Sequence, residues 1–582
     1  MKVKQLISKY INNNFKSCYA FSGGSIMSLI DLININMIIP TSESSGGYMS
    51  IGYNKSVNKC DTINIVTSGP GITNALTSIT DAYCDAIPLF TISGDVATNM
   101  KGKHSFQEAP ALELTKPITY WNYSLINPNE TKFIMDKCLR LLNKGKQVHL
   151  NLPKDVLNMD ILDDIILKSE IEDDIIEKSS NYDIKEVANI INKSKRPVLY
   201  IGRGCIDAVD EVRYLSISRN IPVTTTLHGL GIYNEKHYLS LKMLGMHGSE
   251  RANNAIQYAD CIICIGARFD DRTVGNIDLY APKAKHIIHI NNNISTFNKV
   301  IKNTINLYGE ANCILKELNN HIISKYNNFH DPSSVLICPE LYKKNDIWNK
   351  FLYRYDIEFP YNKKLLKQQH ILQFLNEEID NIKNLRESLY YVTGVGNHQM
   401  YAAQYITHII PNRFITSGSL GTMGSCNSMA IGVKMANPDN IVLAIDGDQS
   451  FNMMNDLKTI MHYNIPLKII IMNDNTQSMV NAWEKIFFNK VVATETTNPN
   501  YEYISKAYNI NYLSVNKFMD IEDIKYTINK FLNFDYDKSI ILDCKVESDF
   551  CFPFVPPGNA LNDMITYKNF YNNKISKDLA PS

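Results

Sequence analysis

The sequence predicts an α/β protein built from three doubly wound parallel-sheet domains. Three observations carry that prediction. Apolar runs of strand length recur along all 582 residues, among them "TINIV", "PLFTISGD", "PVLYIG", "CIICIGA", "IVLAIDGD" and "PLKIIIMND". Stretches with helical patterning separate them, and strands alternating with helices of ten or more residues indicate parallel sheets with helices on both faces. Two polar or charged stretches, at about 160–182 and 320–365, divide the chain into three blocks, which is an ordinary domain count for this length. The predicted domains are 1–165, 183–335 and 366–582.

Each block is justified by its own elements. In the first, "MKVKQLISKYINNNFKSCYAF" reads as a helix running into a strand, followed by strands at "TINIVTSGPG", "IPLFTISGD" and "QVHLNLPKDV". The second carries strands at "RPVLYIGRG", "IPVTTTL", "CIICIGARF" and "HIIHINNN". The third carries them at "LYYVTGVG", "NIVLAIDGD", "PLKIIIMND" and "SIILDCKV", and "YKNFYNNKISKDLAPS" reads as a surface extension.

Composition removes several function classes. The chain has 59 basic and 59 acidic side chains, and a balanced charge argues against a nucleic-acid binder or a membrane-surface protein. No run reaches the roughly 18 apolar residues of a membrane-spanning helix, and no signal-peptide pattern opens the chain. The 12 cysteines are scattered. Cys261 and Cys264 form a C-x-x-C inside an apolar run, which reads as a buried strand, because no second pair is spaced for zinc. Scattered cysteines fit a reducing compartment. The expected location is the cytoplasm, or the plastid stroma if the chain is plastid-encoded.

The chemistry concentrates in residues 445–475, "IDGDQSFNMMNDLKTIMHYNIPLKIIIMNDN". Asp448 follows one apolar run and Asp474 the next. In an open parallel sheet, ligands bind at the carboxyl ends of the strands, and residues 455–463 read as the crossover helix between two parallel neighbours. The two acids then emerge side by side, with Asn473, Asn475 and Thr476 beside them. An oxygen-only set suits Mg²⁺, which usually shares its shell with a phosphate-bearing ligand. The competing reading is that Asp and Asn are simply common turn formers after strands. Upstream, "SGSLGTMGS" places Gly418, Gly421 and Gly424 before a helical pattern, a loop whose backbone N–H groups are expected to face an anion.

Gly447, Asp448 and Gln449, followed by Asn473 and Asp474, resemble the thiamine diphosphate motif, in which G-D-x precedes N-[ND] by some 25 residues. Across nearly the whole chain the sequence resembles the catalytic large subunit of the acetolactate synthase (acetohydroxyacid synthase) family. The segments that carry the likeness are, in order, "SGGSIM", "TSGPGITN", "SFQE", "LPKDV", "MLGMHG", "GARFDDR", "VGNHQM", "SGSLGTMG", "SMVNAWE" and "PFVPPGNAL".

The resemblance implies three thiamine-enzyme domains: pyrimidine-binding, central FAD-binding-like, and diphosphate- and Mg²⁺-binding. Mg²⁺ would be held by Asp448, Asp474 and the Thr476 carbonyl. Thiamine diphosphate would be bound by Gly421, Met423, Gly447, Ser450, His398 and Gln399, with Met423 as the prop that bends the cofactor. Glu43 is the implied catalytic acid, exchanging a proton at the pyrimidine N1′. Arg272 would hold the carboxylate of the acceptor, and Trp483 would favour the larger acceptor. Phe106, Gln107, Met246, Val395 and Met479 match other pocket positions, with ordinary core packing the competing reading for the apolar ones. FAD contacts map to Gly202, Gly204, Leu244, Gly245, His247, Gly266, Arg268 and Asp270.

The implied reaction decarboxylates pyruvate and transfers a hydroxyethyl unit to pyruvate or 2-oxobutanoate, in branched-chain amino-acid biosynthesis. The implied assembly is a homodimer or dimer of dimers, with a small regulatory subunit as a further partner. The chain departs from the family pattern at Ser42 and Ser45 around Glu43, at Asp474 where Asn is usual, and at Arg203, Asn291 and Asn293 in the FAD region. The helix start "GSCNSMAIG" departs as well. Two alternatives stay open: another thiamine- and FAD-binding enzyme, such as pyruvate oxidase or a decarboxylase, and a decayed, non-catalytic homologue.

Overall fold

The computed structural model describes residues 1–162, 183–323, 365–567 and 569–570. The predicted connectors and most of the C-terminal extension lie outside the described residues. Three six-stranded parallel sheets interleaved with helices form the architecture, which is the predicted fold class. In the first sheet the strand order is Asn36–Ile38, Ser17–Phe21, Thr62–Val66, Leu89–Asp95, Gln147–Pro153, Trp121–Ser124. In the second it is Ile305–Tyr308, His286–Asn291, Cys261–Ile265, Pro197–Ile201, Val223–Thr225, Ser240–Met243. In the third it is Phe414–Ile415, Leu389–Thr393, Ile441–Gly447, Lys468–Asn473, Ile540–Lys545, Asn511–Asn516.

The strands are continuous apolar runs because both faces are covered. Cys261–Ile265 is buried at every position, so Cys261 and Cys264 are core side chains, and burial raises both thiols above their ordinary range. No described helix is long and apolar enough to cross a membrane.

The chain divides into two compact units. One comprises Met1–Asp173, Glu378–Gln399 and Ile415–Ser548; the other comprises Asp174–Glu377, Met400–Phe414 and Asp549–Ser582. The first unit holds the first sheet and nearly all of the third, joined by a shared apolar core that includes Tyr48, Met49, Met429, Val433, Phe451 and Leu457. Its centre is the crossing of helices Glu43–Val57 and Cys426–Ala436. A Cβ on Gly52 would lie 2.1 Å from the Met429 carbonyl oxygen, and one on Gly432 would lie 1.9 Å from that of Met49. Only glycine lets these backbones touch, so the crossing fixes how the N-terminal segment meets the C-terminal sheet. The second unit has its own cores on the two faces of its sheet.

Candidate active site

Strands Ile441–Gly447 and Lys468–Asn473 are parallel neighbours with Gly447 opposite Met472. Asp448 and Asp474 therefore leave the sheet together, at its carboxyl edge. The expected helix over 455–463 is present as Leu457–Tyr463, and a short helix Asp448–Met453 precedes it. Both acids are buried, 2% and 9% exposed. Asp448 accepts from the Gln449 N–H (2.8 Å), the Asn475 N–H (2.7 Å) and the Asn498 amide. Asp474 accepts from the Thr476 N–H and hydroxyl, both at 3.0 Å, and from the Ser478 hydroxyl.

Burial, and then the charge of Asp474, push the Asp448 carboxyl up to about 6. The hydrogen-bond donors to Asp448 are all neutral, so nothing among them offsets the charge of the neighbouring Asp474. The carboxylate pair fits a small hard cation such as Mg²⁺. Thr476 sits beside it, with its N–H and hydroxyl turned to Asp474.

The turn after strand Leu389–Thr393 closes onto the same edge. A Cβ on Gly394 would lie 1.8 Å from Asp446 Oδ1, and one on Gly447 would lie 2.8 Å from His398 Nδ1. Glycine at these positions lets residues 394–398 lie flat against 446–450. His398 is buried, with Nε2 3.4 Å from Asp446 Oδ1. Gln399 donates to the Thr416 hydroxyl (2.7 Å) and the Ser417 carbonyl (2.9 Å). Val395 Cγ1 would lie 3.8 Å from a Cβ on Gly421. The structure thus brings Val395, His398, Gln399, Gly421, Gly447, Ser450, Asp448 and Asp474 to one sheet edge.

The glycine-rich loop differs from its expectation. Its N–H groups are occupied by the protein's own oxygens rather than held open for an anion. Gly418 and Ser419 donate to the Asp85 carboxylate at 3.0 and 2.9 Å. Gly421 and Thr422 donate to the Ser417 hydroxyl, and Gly424 to the Ser450 hydroxyl. The cause is that Asp85 and Ser450, delivered by neighbouring helices, reach the donors that the loop would otherwise leave unpaired. Met423 is half-buried in this loop, ahead of helix Cys426–Ala436.

Glu43 lies elsewhere in the same unit, as the first residue of helix Glu43–Val57. The preceding Ser42 caps the helix through the Ser45 N–H. Glu43 is 7% exposed and accepts from the Asn74 amide at 3.1 Å. An acid at a helix N-terminus is favoured by the helix dipole, so its charge is compatible with burial there. Phe106 is 89% exposed, which removes the core-packing reading for it. Gln107 has φ +61° and packs on Gly69, where a Cβ would meet its Cα at 2.8 Å. Met479 and Trp483 are half-buried on helix Ser478–Trp483, with the Trp483 ring 5.4 Å from that of Phe487.

In the second unit Arg272 is exposed, with Nη1 3.3 Å from the sulfur of half-buried Met246. Gly202, Gly204 and Gly266 crowd one another at the ends of adjacent strands; a Cβ on Gly202 would lie 2.5 Å from the Gly266 carbonyl oxygen. Leu244 and Gly245 are buried and Arg268 is exposed. Asp270 caps helix Asp271–Val274 through the Thr273 N–H. His247 is buried, and burial lowers its pKa to about 4. Asn291 donates to the Ala267 carbonyl and accepts from the Asn293 N–H, so its amide is engaged by the chain itself.

Two groups escaped the sequence reading. Asn498 ties Asp448 to Asn473, and its own oxygen accepts from Gln449. Its only sequence signal is a turn-forming "TNPN". The other is a buried cluster beneath the glycine-rich loop, made of Tyr48, Lys55, Asp81 and Asp85. Burial, and then the charge of Asp85, push the Asp81 carboxyl from 3.8 up to about 6.

The folded state therefore holds the Asp81 proton more tightly than the unfolded chain does. Ionised Asp81 costs stability above the folded pKa, and that cost fades as pH falls through the window from about 6 to 3.8. At about 1.4 kcal/mol per unit the cost at neutral pH is up to about 3 kcal/mol. An Asp81→Asn variant is expected to melt above the parent at pH 7.5 and level with it at pH 4. A lower melting temperature at pH 7.5 would show that the charge is compensated.

Comparison with known families places three models on the chain. Thiamine pyrophosphate enzyme, N-terminal TPP binding domain, matches residues 1–114; the central domain matches 184–318; the C-terminal TPP binding domain matches 394–544. The chain is similar to the mitochondrial acetolactate synthase of Schizosaccharomyces pombe, at 33% identity over 96% of this chain and 85% of the relative. It is similar to the acetolactate synthase large subunit of Buchnera aphidicola, at 31% over 96% and 97%. It is also similar to the chloroplastic acetolactate synthase of Arabidopsis thaliana, at 30% over 96% and 84%.

Proposed function

This chain belongs to the thiamine pyrophosphate enzyme family, and we propose that within it the chain works as an acetolactate synthase. Its substrates would be pyruvate, as donor, and pyruvate or 2-oxobutanoate, as acceptor, and its products would feed branched-chain amino-acid synthesis. The observation that carries this reading is the buried acid pair Asp448 and Asp474 at the carboxyl edge of the third sheet, in a chain whose likeness to acetolactate synthases runs over 96% of its length.

Thiamine diphosphate, when bound, supplies the carbon nucleophile that decarboxylates 2-oxo acids. The chain's part is to hold and orient it. Asp448 and Asp474, with Thr476, would hold Mg²⁺, which would supply the charge that binds a diphosphate. Ser450, Gly447, His398 and Gln399 line the same edge, and Met423 with Gly421 supports the rings. Glu43 holds and returns a proton at the pyrimidine N1′. Arg272 offers its guanidinium to the acceptor carboxylate. Phe106, Gln107, Val395 and Met479 on the first unit, and Met246 on the second, are each assigned to the substrate.

FAD is proposed for the central domain. The close-packed glycines Gly202, Gly204 and Gly266 at adjacent strand ends support it, with Leu244, Gly245, His247, Arg268 and Asp270 alongside. The proposed assembly is at least a homodimer in which Glu43 serves the cofactor held by the partner, with a small regulatory subunit as a further partner. Sedimentation of the active protein decides the dimer.

The test of the function is purified protein with pyruvate, Mg²⁺ and thiamine diphosphate, with and without FAD. Acetolactate is the expected product. Acetaldehyde or acetyl phosphate in its place would move the chain to another branch of the family.

Trp483 is assigned to acceptor choice. Its half-buried indole lies on the short helix that follows Asp474, and one added methylene in such a pocket is worth about 1–3 kcal/mol. Trp483→Leu is expected to keep acetolactate formation and lose the preference for 2-oxobutanoate. An unchanged product ratio in a two-substrate competition would remove Trp483 from the pocket.

A further inference from the structure

The loop at residues 416–424 is held at its outer end by two charged side chains from the N-terminal segment. Helix Glu43–Val57 carries Lys55 in its last turn, and Lys55 Nζ donates to the Thr416 carbonyl at 2.9 Å. Helix Pro70–Cys84 ends at Asp85, whose two carboxylate oxygens accept the Gly418 and Ser419 N–H groups separately. Lys55 and Asp85 are themselves 3.9 Å apart and almost wholly buried. A carboxylate at a helix C-terminus opposes the helix dipole, and a buried one must be hydrogen-bonded and paired. Asp85 meets these demands in part through Lys55 and the loop, so the carboxylate and the loop position each other. The next residues of that loop are Gly421, at φ +74°, and Met423.

We propose that Asp85, paired with Lys55, is the positioning residue of the cofactor loop: its carboxylate takes the place of an anion on the Gly418 and Ser419 N–H groups and so presets Gly421–Met423 for thiamine diphosphate. This inference rests on the proposed cofactor site. It assigns the loop's outer N–H groups to the protein and leaves the diphosphate to the cation at Asp448 and Asp474. It also makes the N-terminal segment of the chain a determinant of cofactor affinity through residues that touch no substrate.

Asp85→Asn keeps the shape, retains one acceptor oxygen, and loses the second acceptor and the charge that pairs with Lys55. In calorimetric titration of the apoprotein with thiamine diphosphate at saturating Mg²⁺, the dissociation constant is expected to rise tenfold or more. Turnover at saturating cofactor should fall by less than affinity does, and the KM for pyruvate should move least. Lys55→Met, which leaves the Asp85 acceptors in place, is expected to weaken binding in the same direction by a smaller factor, and Lys55→Arg to restore most of it.

A purely structural role would lower the melting temperature and leave the affinity of the folded protein unchanged, and that result would overturn the proposal. If Asp85→Asn does not fold, the Lys55 pair decides by the same criterion. Failure of the wild-type protein to bind thiamine diphosphate would instead overturn the cofactor site itself, before either variant is compared.

Discussion

Glu43→Gln is expected to bind thiamine diphosphate and to lose about 10²–10⁴-fold in turnover, the usual contribution of a positioned acid or base. The local structure predicts that the substitution is nearly silent for folding. Among the described residues Glu43 receives one side-chain hydrogen bond, from Asn74, and a glutamine carbonyl can accept it unchanged. Ser42 continues to cap the helix. What is lost is a negative charge in the first helical turn, worth about 0.3–1 kcal/mol, and the ability to exchange a proton. Binding and melting should therefore stay near the parent while turnover collapses. Activity within about threefold of wild type, far short of the loss expected of an acid–base group, would remove Glu43 from the chemistry.

Which parts of this architecture are legible in a sequence follows from how local their causes are. The strands Ile441–Gly447 and Lys468–Asn473 announce themselves because a strand buried on both faces must be apolar throughout. Asp448 and Asp474 are legible as a pair because topology brings the ends of neighbouring parallel strands together. The C-x-x-C of Cys261 and Cys264 reads as core for the same reason, and it is core.

The partners of the glycine-rich loop are not legible. Asp85 reaches Gly418 across 333 residues of chain, and nothing near "SGSLGTMGS" says that its donors will be satisfied. Asn498 reaches Asp448 across 50 residues from a turn that looks like any other. The helix expected over 455–463 forms as Leu457–Tyr463, and a further short helix, Asp448–Met453, precedes it. Asp456, at their junction, adopts φ +49° and accepts the Ser428 and Thr41 hydroxyls. Its side chain satisfies partners in two distant segments, a demand invisible locally.

The replacement of Asp474 by Asn tests the metal site most directly. In the structure Asp474 accepts hydrogen bonds at one oxygen from the Thr476 N–H and hydroxyl and at the other from Ser478. An asparagine oxygen can keep the Thr476 pair, and the Ser478 hydroxyl can turn to accept from the amide. Shape and packing are preserved and one charge is removed. That charge stands against Asp448, whose carboxyl it helps to push upward. Two unit charges about 4 Å apart repel by about 4 kcal/mol at an effective dielectric of 20.

The same charge attracts a divalent cation, and hard cations follow ligand charge. Asp474→Asn should therefore weaken Mg²⁺ binding in the absence of cofactor by tenfold or more, a change of about 1.4 kcal/mol or greater. The diphosphate is itself anionic and no longer meets the Asp474 carboxylate, so its binding at saturating Mg²⁺ should be equal or tighter. Two calorimetric titrations, Mg²⁺ into apoprotein and thiamine diphosphate into Mg²⁺-saturated protein, separate these effects. If the first shows no change, Asp474 does not hold the cation, and the second oxygen ligand must be sought among Asn473, Asn475 and Thr476.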